Sequence, residues 1–175
     1  PGDFPEVPRM NGDQNDDFLF KQGKTRGYGK TQFHDFHPVY DSVDLPNVNI
    51  FKEQIKAFEE FLMLSGMEIA DQMLNDFDFL LSVGEIFTLV AYGQLIIESA
   101  KMENIDDDLL DEIFDVYVRD FSRYALDING KQTTTQAQKD QCLKMLKSPA
   151  VDPEKFERVL NEHVYSLVDA YTMNP

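Results

Sequence analysis

Three groups of residues have types and spacings that invite a chemical reading. Gly23-Lys24-Thr25 and Gly29-Lys30-Thr31 each carry the Gly-Lys-Thr end of a phosphate-binding loop. That loop also needs an earlier glycine, separated from the Gly-Lys-Thr by four residues. Before Gly29 that position holds Lys24, and Gly23 sits one residue too far back. His34-Asp35-Phe36-His37-Pro38 follows where a helix is required, so phosphate binding is not expected. His34 and His37, with Asp35 between them and His163 elsewhere, could hold a metal if their segment were helical, because positions i and i+3 share a face. The residue before a proline avoids the helical region, so Pro38 argues against a helix at His37. Ordinary hydrogen bonds in a turn are the expected role of these histidines. The third group is Asp106-Asp107-Asp108 with Asp111-Glu112. A calcium loop needs alternating ligands around a central glycine, which this run lacks, and a solvated helix start is expected instead. Cys142 lies in the helical pattern KDQCLKML, and no Gly-x-Ser-x-Gly occurs. A buried, inert thiol is expected there. No catalytic, cofactor-binding or metal-ligating residue is assigned.

These residues sit in a chain with 16 Lys and Arg against 32 Asp and Glu, a net charge of −16. Residues 1–45 carry 5 basic and 8 acidic groups, residues 46–130 carry 5 and 18, and residues 131–175 carry 6 and 6. The middle segment holds most of the excess. It repels phosphate backbones and anionic lipid heads, which makes nucleic acid and acidic membranes unlikely partners and leaves room for a basic protein. With one cysteine no internal disulfide forms, which fits a reducing compartment and a cytoplasmic protein. The most apolar run, Ile86–Ile97, is too short to span a bilayer. The chain opens at Pro1-Gly2 without an initiator Met, and a fragment or a processed product is expected.

The elements that must position these groups are helical. Residues 1–46 are rich in Pro, Gly, Asp and Asn and read as an irregular, extended arm or linker. That arm would pack through Phe18, Phe20, Phe33, Phe36 and Tyr40, with a short hairpin around Gly27–Gly29. Residues 47–175 read as a helical bundle domain. Phe51, Ile55, Phe58 and Leu62 recur at helical spacing, and Gly66 is the expected end of that helix. A second helical region runs from Asp71 to about Lys101. Its later half is apolar on nearly every face, so it is expected at the centre of the bundle. Gly84 is a candidate break, and Gly93 a site of close helix crossing. A third helix starts at Asp106–Asp108 and stops at Asn129-Gly130. It carries Leu109, Ile113, Tyr117, Tyr124 and Ile128 on one row, with Leu110, Phe114, Val118, Phe121 and Ala125 beside it. Its aromatic stripe, Phe114, Tyr117, Phe121 and Tyr124, is expected in the core, with docking on another subunit as the alternative. Thr135 and Gln138 form a capping-box spacing for a fourth helix that ends near Ser148-Pro149. Asp152-Pro153 opens a fifth, running through Phe156, Val159, Leu160, Val164, Leu167, Val168 and Tyr171. The fold class is all-α, a bundle of about five helices behind an irregular arm.

Several of these segments resemble one family. GEIFTLVAYGQLIIESA, LLDEIFDVYVRDFSRYAL, NGKQTTTQAQ and EHVYSLVDAYTMNP are similar to the C-terminal helical region of large bacterial acyl-CoA dehydrogenases. GKTQFHDFHPVYDSVDLPNV resembles the connector that precedes it, so the likeness covers roughly residues 24–175. The resemblance implies a parent flavoenzyme in which a glutamate removes an α-proton, FAD accepts a hydride, and electrons pass to an electron-transfer flavoprotein. The family's glycine-rich GG-x-GY stretch and β-domain have no counterpart here. No catalytic or flavin-binding residue is therefore carried over. What the resemblance implies for this chain is an accessory helical domain without activity of its own. It would pack on the catalytic domains of the parent, support a homo-oligomer, or cover part of the acyl-CoA site. The rival expectations are a stand-alone acidic interaction module with an apolar groove, and a small metalloprotein using His34 and His37.

Overall fold

A computed structural model describes residues 35–170. Phe18, Phe20, Phe33, His34, Tyr171, the two Gly-Lys-Thr runs and the suggested hairpin lie outside the described residues. Among those described there are six helices and no strand, an all-α bundle. The first is α1 (His37–Asp41), which begins at the residue that Pro38 was expected to keep out of a helix. Proline is tolerated in a first turn, because the N–H it lacks would have had no partner there. Tyr40 anchors α1. It is buried, and its hydroxyl donates to the Val90 carbonyl at 2.6 Å. This places α1, which falls within the stretch read as an arm, against the bundle.

Helix α2 (Pro46–Asn75) buries Val48, Phe51, Ile55, Phe58 and Phe61. It runs straight through Gly66. A mid-helix glycine costs only about 1 kcal/mol relative to alanine, too little to stop a helix. The true break is Asp76, whose backbone is extended and whose carboxylate accepts from the Phe79 N–H at 3.0 Å, capping α3 (Phe77–Glu103). Thr133 holds the other carboxylate oxygen at 2.7 Å. Gly84 does not interrupt α3. At the far end Asn104 takes left-handed angles and closes the helix.

Helix α3 is not the centre of the bundle. It buries one stripe, Phe79, Val83, Ile86, Val90, Gly93, Ile97 and Ala100, and leaves Leu81, Tyr92, Leu95 and Met102 at least half exposed. A helix that is apolar all round asks for cover on every side, but among the described residues it packs chiefly on α1, α2 and α4. By length and composition the whole of α3 could cross a bilayer, unlike the shorter run picked from the sequence. The central element is α4 (Asp107–Gly130), which packs on α2, α3, α5 (Gln136–Met145) and α6 (Pro153–Val159). Leu110, Phe114, Val118, Phe121, Ala125 and Ile128 form its buried row, while Ile113, Tyr117 and Tyr124 are half-buried.

The core is built around Phe51. Its ring lies 5.4 Å from Phe114, 5.5 Å from Phe121 and 5.8 Å from both Tyr40 and Tyr117. Most of these contacts are edge-to-face, the arrangement the ring quadrupole favours, worth about 0.5–1.5 kcal/mol per pair beyond burial. The capping box of α5 forms as expected, with the Thr135 N–H donating to Gln138 Oε1 at 2.8 Å. This helix ends at Met145, short of Ser148. Regular α-helix also stops early in α6, at Val159. A π-helical turn (Leu160–Val164) and a 3-10 turn (Tyr165–Leu167) follow. Phe156, Val164, Leu167 and Val168 of the expected apolar face are exposed. Left exposed among the described residues, that face supplies little packing force to hold the helix regular.

Candidate functional site

Asp111 was expected in a solvated helix start, yet it is 1% exposed. It lies on the inner face of α4, between Leu110 and Phe114. Its Oδ1 accepts from the Asn47 backbone N–H at 2.7 Å and its Oδ2 from Asn47 Nδ2 at 3.1 Å. The Lys155 ammonium, 6% exposed, donates to the same Oδ2 and stands 3.2 Å from Glu112. Asn47 Oδ1 in turn accepts from the Ala150 N–H at 2.7 Å. Burial pulls the Lys155 ammonium down, but hydrogen bonds to Asp111 and Glu112 outweigh it and leave the group above its ordinary value. The Asp111 carboxylate thus ties the start of α2, the middle of the bundle and the start of α6 together. Both charges are paired and hydrogen-bonded, which suits holding the fold rather than reacting. Gln54 makes a second tie, its Nε2 donating to the carbonyls of Val118 (3.1 Å) and Met145 (2.9 Å). These polar anchors could have been suspected from the sequence, since Asp111 and Gln54 fall on apolar faces where a polar group needs a partner.

The other sequence candidates are spread over the body. His37 is exposed, with Nδ1 at 2.9 Å from Asp35 and Nε2 at 3.1 Å from Glu59. The hydrogen bond His37 donates to Asp35 leads in raising its pKa, partly opposed by desolvation and aided by Glu59. His163 Nε2 lies 2.5 Å from Asp106, the residue that caps α4 through the Leu109 N–H. Arg158 bonds Asp108 at 2.7 Å and draws its carboxyl below the usual range. Cys142 is buried, and desolvation pushes its thiol up to about 12, an unreactive setting. Among the described residues no group of three His, Cys, Asp or Glu stands ready for a metal ion.

Several hollows open among the described residues. One of about 310 Å³ lies between α1 and α2, lined by Phe36, His37, Tyr40, Ile55, Lys56 and Glu59 among others. One of about 460 Å³ follows the loop after α1, by Val43, Lys101, Asn104 and Asp107. The third, about 300 Å³, is a groove between α3 and α4 with walls of Ile96, Ile105, Leu109 and Ile113. Comparison with protein-family models, curated proteins and solved structures gave no match. The chemistry of the described body therefore has to be read from its surfaces. Those surfaces are carboxylate-rich and, along α3 and after Val159, apolar and uncovered.

Proposed function

We propose that this chain is a non-catalytic accessory helical domain of an acyl-CoA dehydrogenase-like flavoenzyme, packing on catalytic domains carried elsewhere. The observation that supports it best is the uncovered apolar surface. Leu81, Tyr92, Leu95 and Met102 on α3, and Phe156, Val164, Tyr165, Leu167 and Val168 near the end, are all at least half exposed. Apolar groups exposed in this number mark contact surfaces on a folded protein. The likeness of its helical segments to the C-terminal region of the dehydrogenases supplies the identity of the parent. In this reading FAD and the proton-abstracting glutamate belong to the parent. The complex is a cytoplasmic homo-oligomer that hands electrons to an electron-transfer flavoprotein. Sedimentation velocity tests it: the chain mixed with a dehydrogenase body lacking its own C-terminal helices should co-sediment with the flavin absorbance. Independent sedimentation at micromolar concentration, or flavin bound by the chain alone, sinks the reading.

A second reading, a stand-alone acidic interaction module, is favoured by one observation. The groove between α3 and α4 has apolar walls, with Glu103 at its edge. Both readings make the chain a body that works by packing.

A further inference from the structure

Helix α2 sets Lys52 and Lys56 one turn apart, and both line the hollow of about 310 Å³ between α1 and α2. Like charges at i and i+4 destabilise a helix, and carboxylates three or four positions away normally offset them. Here those carboxylates are committed elsewhere. Glu53 pairs with Lys147 at 2.8 Å, Glu59 meets His37 Nε2 at 3.1 Å, and Glu60 accepts from Gln141 Nε2 at 3.0 Å. Lys52 reaches the Val43 carbonyl at 3.4 Å. Neither lysine has a carboxylate at ion-pair distance among the described residues.

Much of the remaining lining is aromatic and apolar. The Phe36 ring stacks on His37 at 4.5 Å and meets Tyr40 edge-on at 6.1 Å, with Ile55 also in the wall. His37 stands between Asp35 and Glu59, which favour its protonated form, and the imidazolium offsets the Glu59 charge. Asp41 is the other carboxylate of the lining. Two ammonium groups are thus set against one uncompensated carboxylate, a local positive excess in a chain of net charge −16. Hollows of about 300–1,000 Å³ with apolar walls and a few convergent polar groups suit small molecules, and this one falls at the small end of that range. Inorganic phosphate would satisfy the lysines and leave the aromatic wall unused. An uncharged ring would leave the ammonium groups unpaired. We infer that this hollow binds a small aromatic carboxylate, its oxygens between Lys52 and Lys56 and its ring against Phe36 and Ile55. The site goes beyond the packing reading above and stands without it.

The probe is 2-naphthoate, titrated into the isotopically labelled chain and followed by amide chemical shifts. At pH 6, below the ordinary imidazole value of 6.5, His37 with its raised value keeps its proton. Saturable shifts should concentrate at residues 36–41 and 52–59. Affinity should fall about tenfold or more in Lys52→Gln/Lys56→Gln, the loss expected when charge-assisted hydrogen bonds are removed. Lys52→Arg/Lys56→Arg, which keeps both charges, should stay within about threefold, and Asp41→Asn should bind about twofold tighter. Lys139→Gln/Lys144→Gln alters net charge equally on α5, outside the hollow, and should change affinity less than about twofold. Far-ultraviolet circular dichroism of each variant establishes that the bundle is intact. Equal losses in the two glutamine double variants would mean attraction by bulk charge and would overturn the inference. Weaker binding in Asp41→Asn would do the same, as would the absence of saturable shifts at millimolar naphthoate. Equal affinity for the uncharged 2-naphthylmethanol would leave an apolar hollow without an anion site, and equal affinity for inorganic phosphate an anion site without a ring; either result sinks the assignment.

Discussion

Helices α3 and α4 lie against each other and solve opposite problems. Helix α4 divides its sides more clearly: Leu110, Phe114, Val118, Phe121 and Ala125 point inward beside the paired Asp111, and Arg119, Arg123 and Asp127 lie toward water, with Val116 and Leu126 as the apolar exceptions. Helix α3 makes no such division, with Ile86 and Val90 buried and Leu95 and Tyr92 in water on the next turns. A polar outer face leaves only one arrangement that buries the apolar row. An apolar outer face leaves the orientation to other devices, and exposes surface suited to another protein. The α4 pattern builds the domain; the α3 pattern builds the domain and a contact surface together.

The comparison breaks most easily at Asp111. Asp111→Ala leaves the Lys155 ammonium buried without its main partner, and removal of one member of a buried pair costs about 3–5 kcal/mol. Urea denaturation should show that loss, and a change below about 1 kcal/mol, the value of an ordinary surface site, would mean the network is not holding the bundle. Gly93→Ala probes the inner face of α3. A Cβ at that position would lie 2.4 Å from the Tyr40 hydroxyl, an overpacked contact worth about 1–3 kcal/mol. Tyr40→Phe in the same chain removes the clashing oxygen and should recover much of the loss; a double variant as unstable as the sum of the two singles contradicts the contact.

Leu95→Gln, on the outer face of α3, should move thermal stability by less than about 0.5 kcal/mol, as expected of surface positions. A drop of core size would mean that this face is covered in the free chain. The smallest effect belongs to α1, which leans on α3 through Tyr40. The raised pKa of His37 means the folded state holds its proton more tightly. That stability is fully present below the ordinary value of 6.5 and is lost as pH rises through the raised folded value. His37 is exposed and its pairs are screened, so the loss should stay within about 0.5 kcal/mol. Proton-detected titration of the His37 ring, shifted toward the ordinary value in Glu59→Gln, checks it.

What could be read in advance follows the same division. The capping box at Thr135, the aspartate caps at Asp106 and Asp152, and the buried row of α4 each have a local cause in neighbouring residues, and each was legible. The end of α2 was not, because Gly66 looks like a stop and Asp76 like one carboxylate among many. Only the arriving Phe79 N–H and Thr133 hydroxyl make Asp76 a boundary. The place of α3 was misread for a global reason: a hydrophobic pattern states how much cover a helix needs, not whether the same chain provides it. The Asn47–Asp111–Lys155 tie was missed because its members lie 64 and 44 residues from Asp111. No local spacing joins them. Of the candidate surface little was legible, because the apolar run was read as a buried rod and the groove is walled by α3, α4 and the turn between them, which only the fold brings together.

The Tyr40 hydroxyl in the space left by Gly93 works as a key in a slot. Turning α3 by one residue rotates it about 100° and would present another apolar side to the core with little loss of greasy contact. The missing side chain at 93 admits the phenol at one angular setting only. A single hydrogen atom in place of a methyl thereby decides which half of this helix is hidden and which is offered to the outside world.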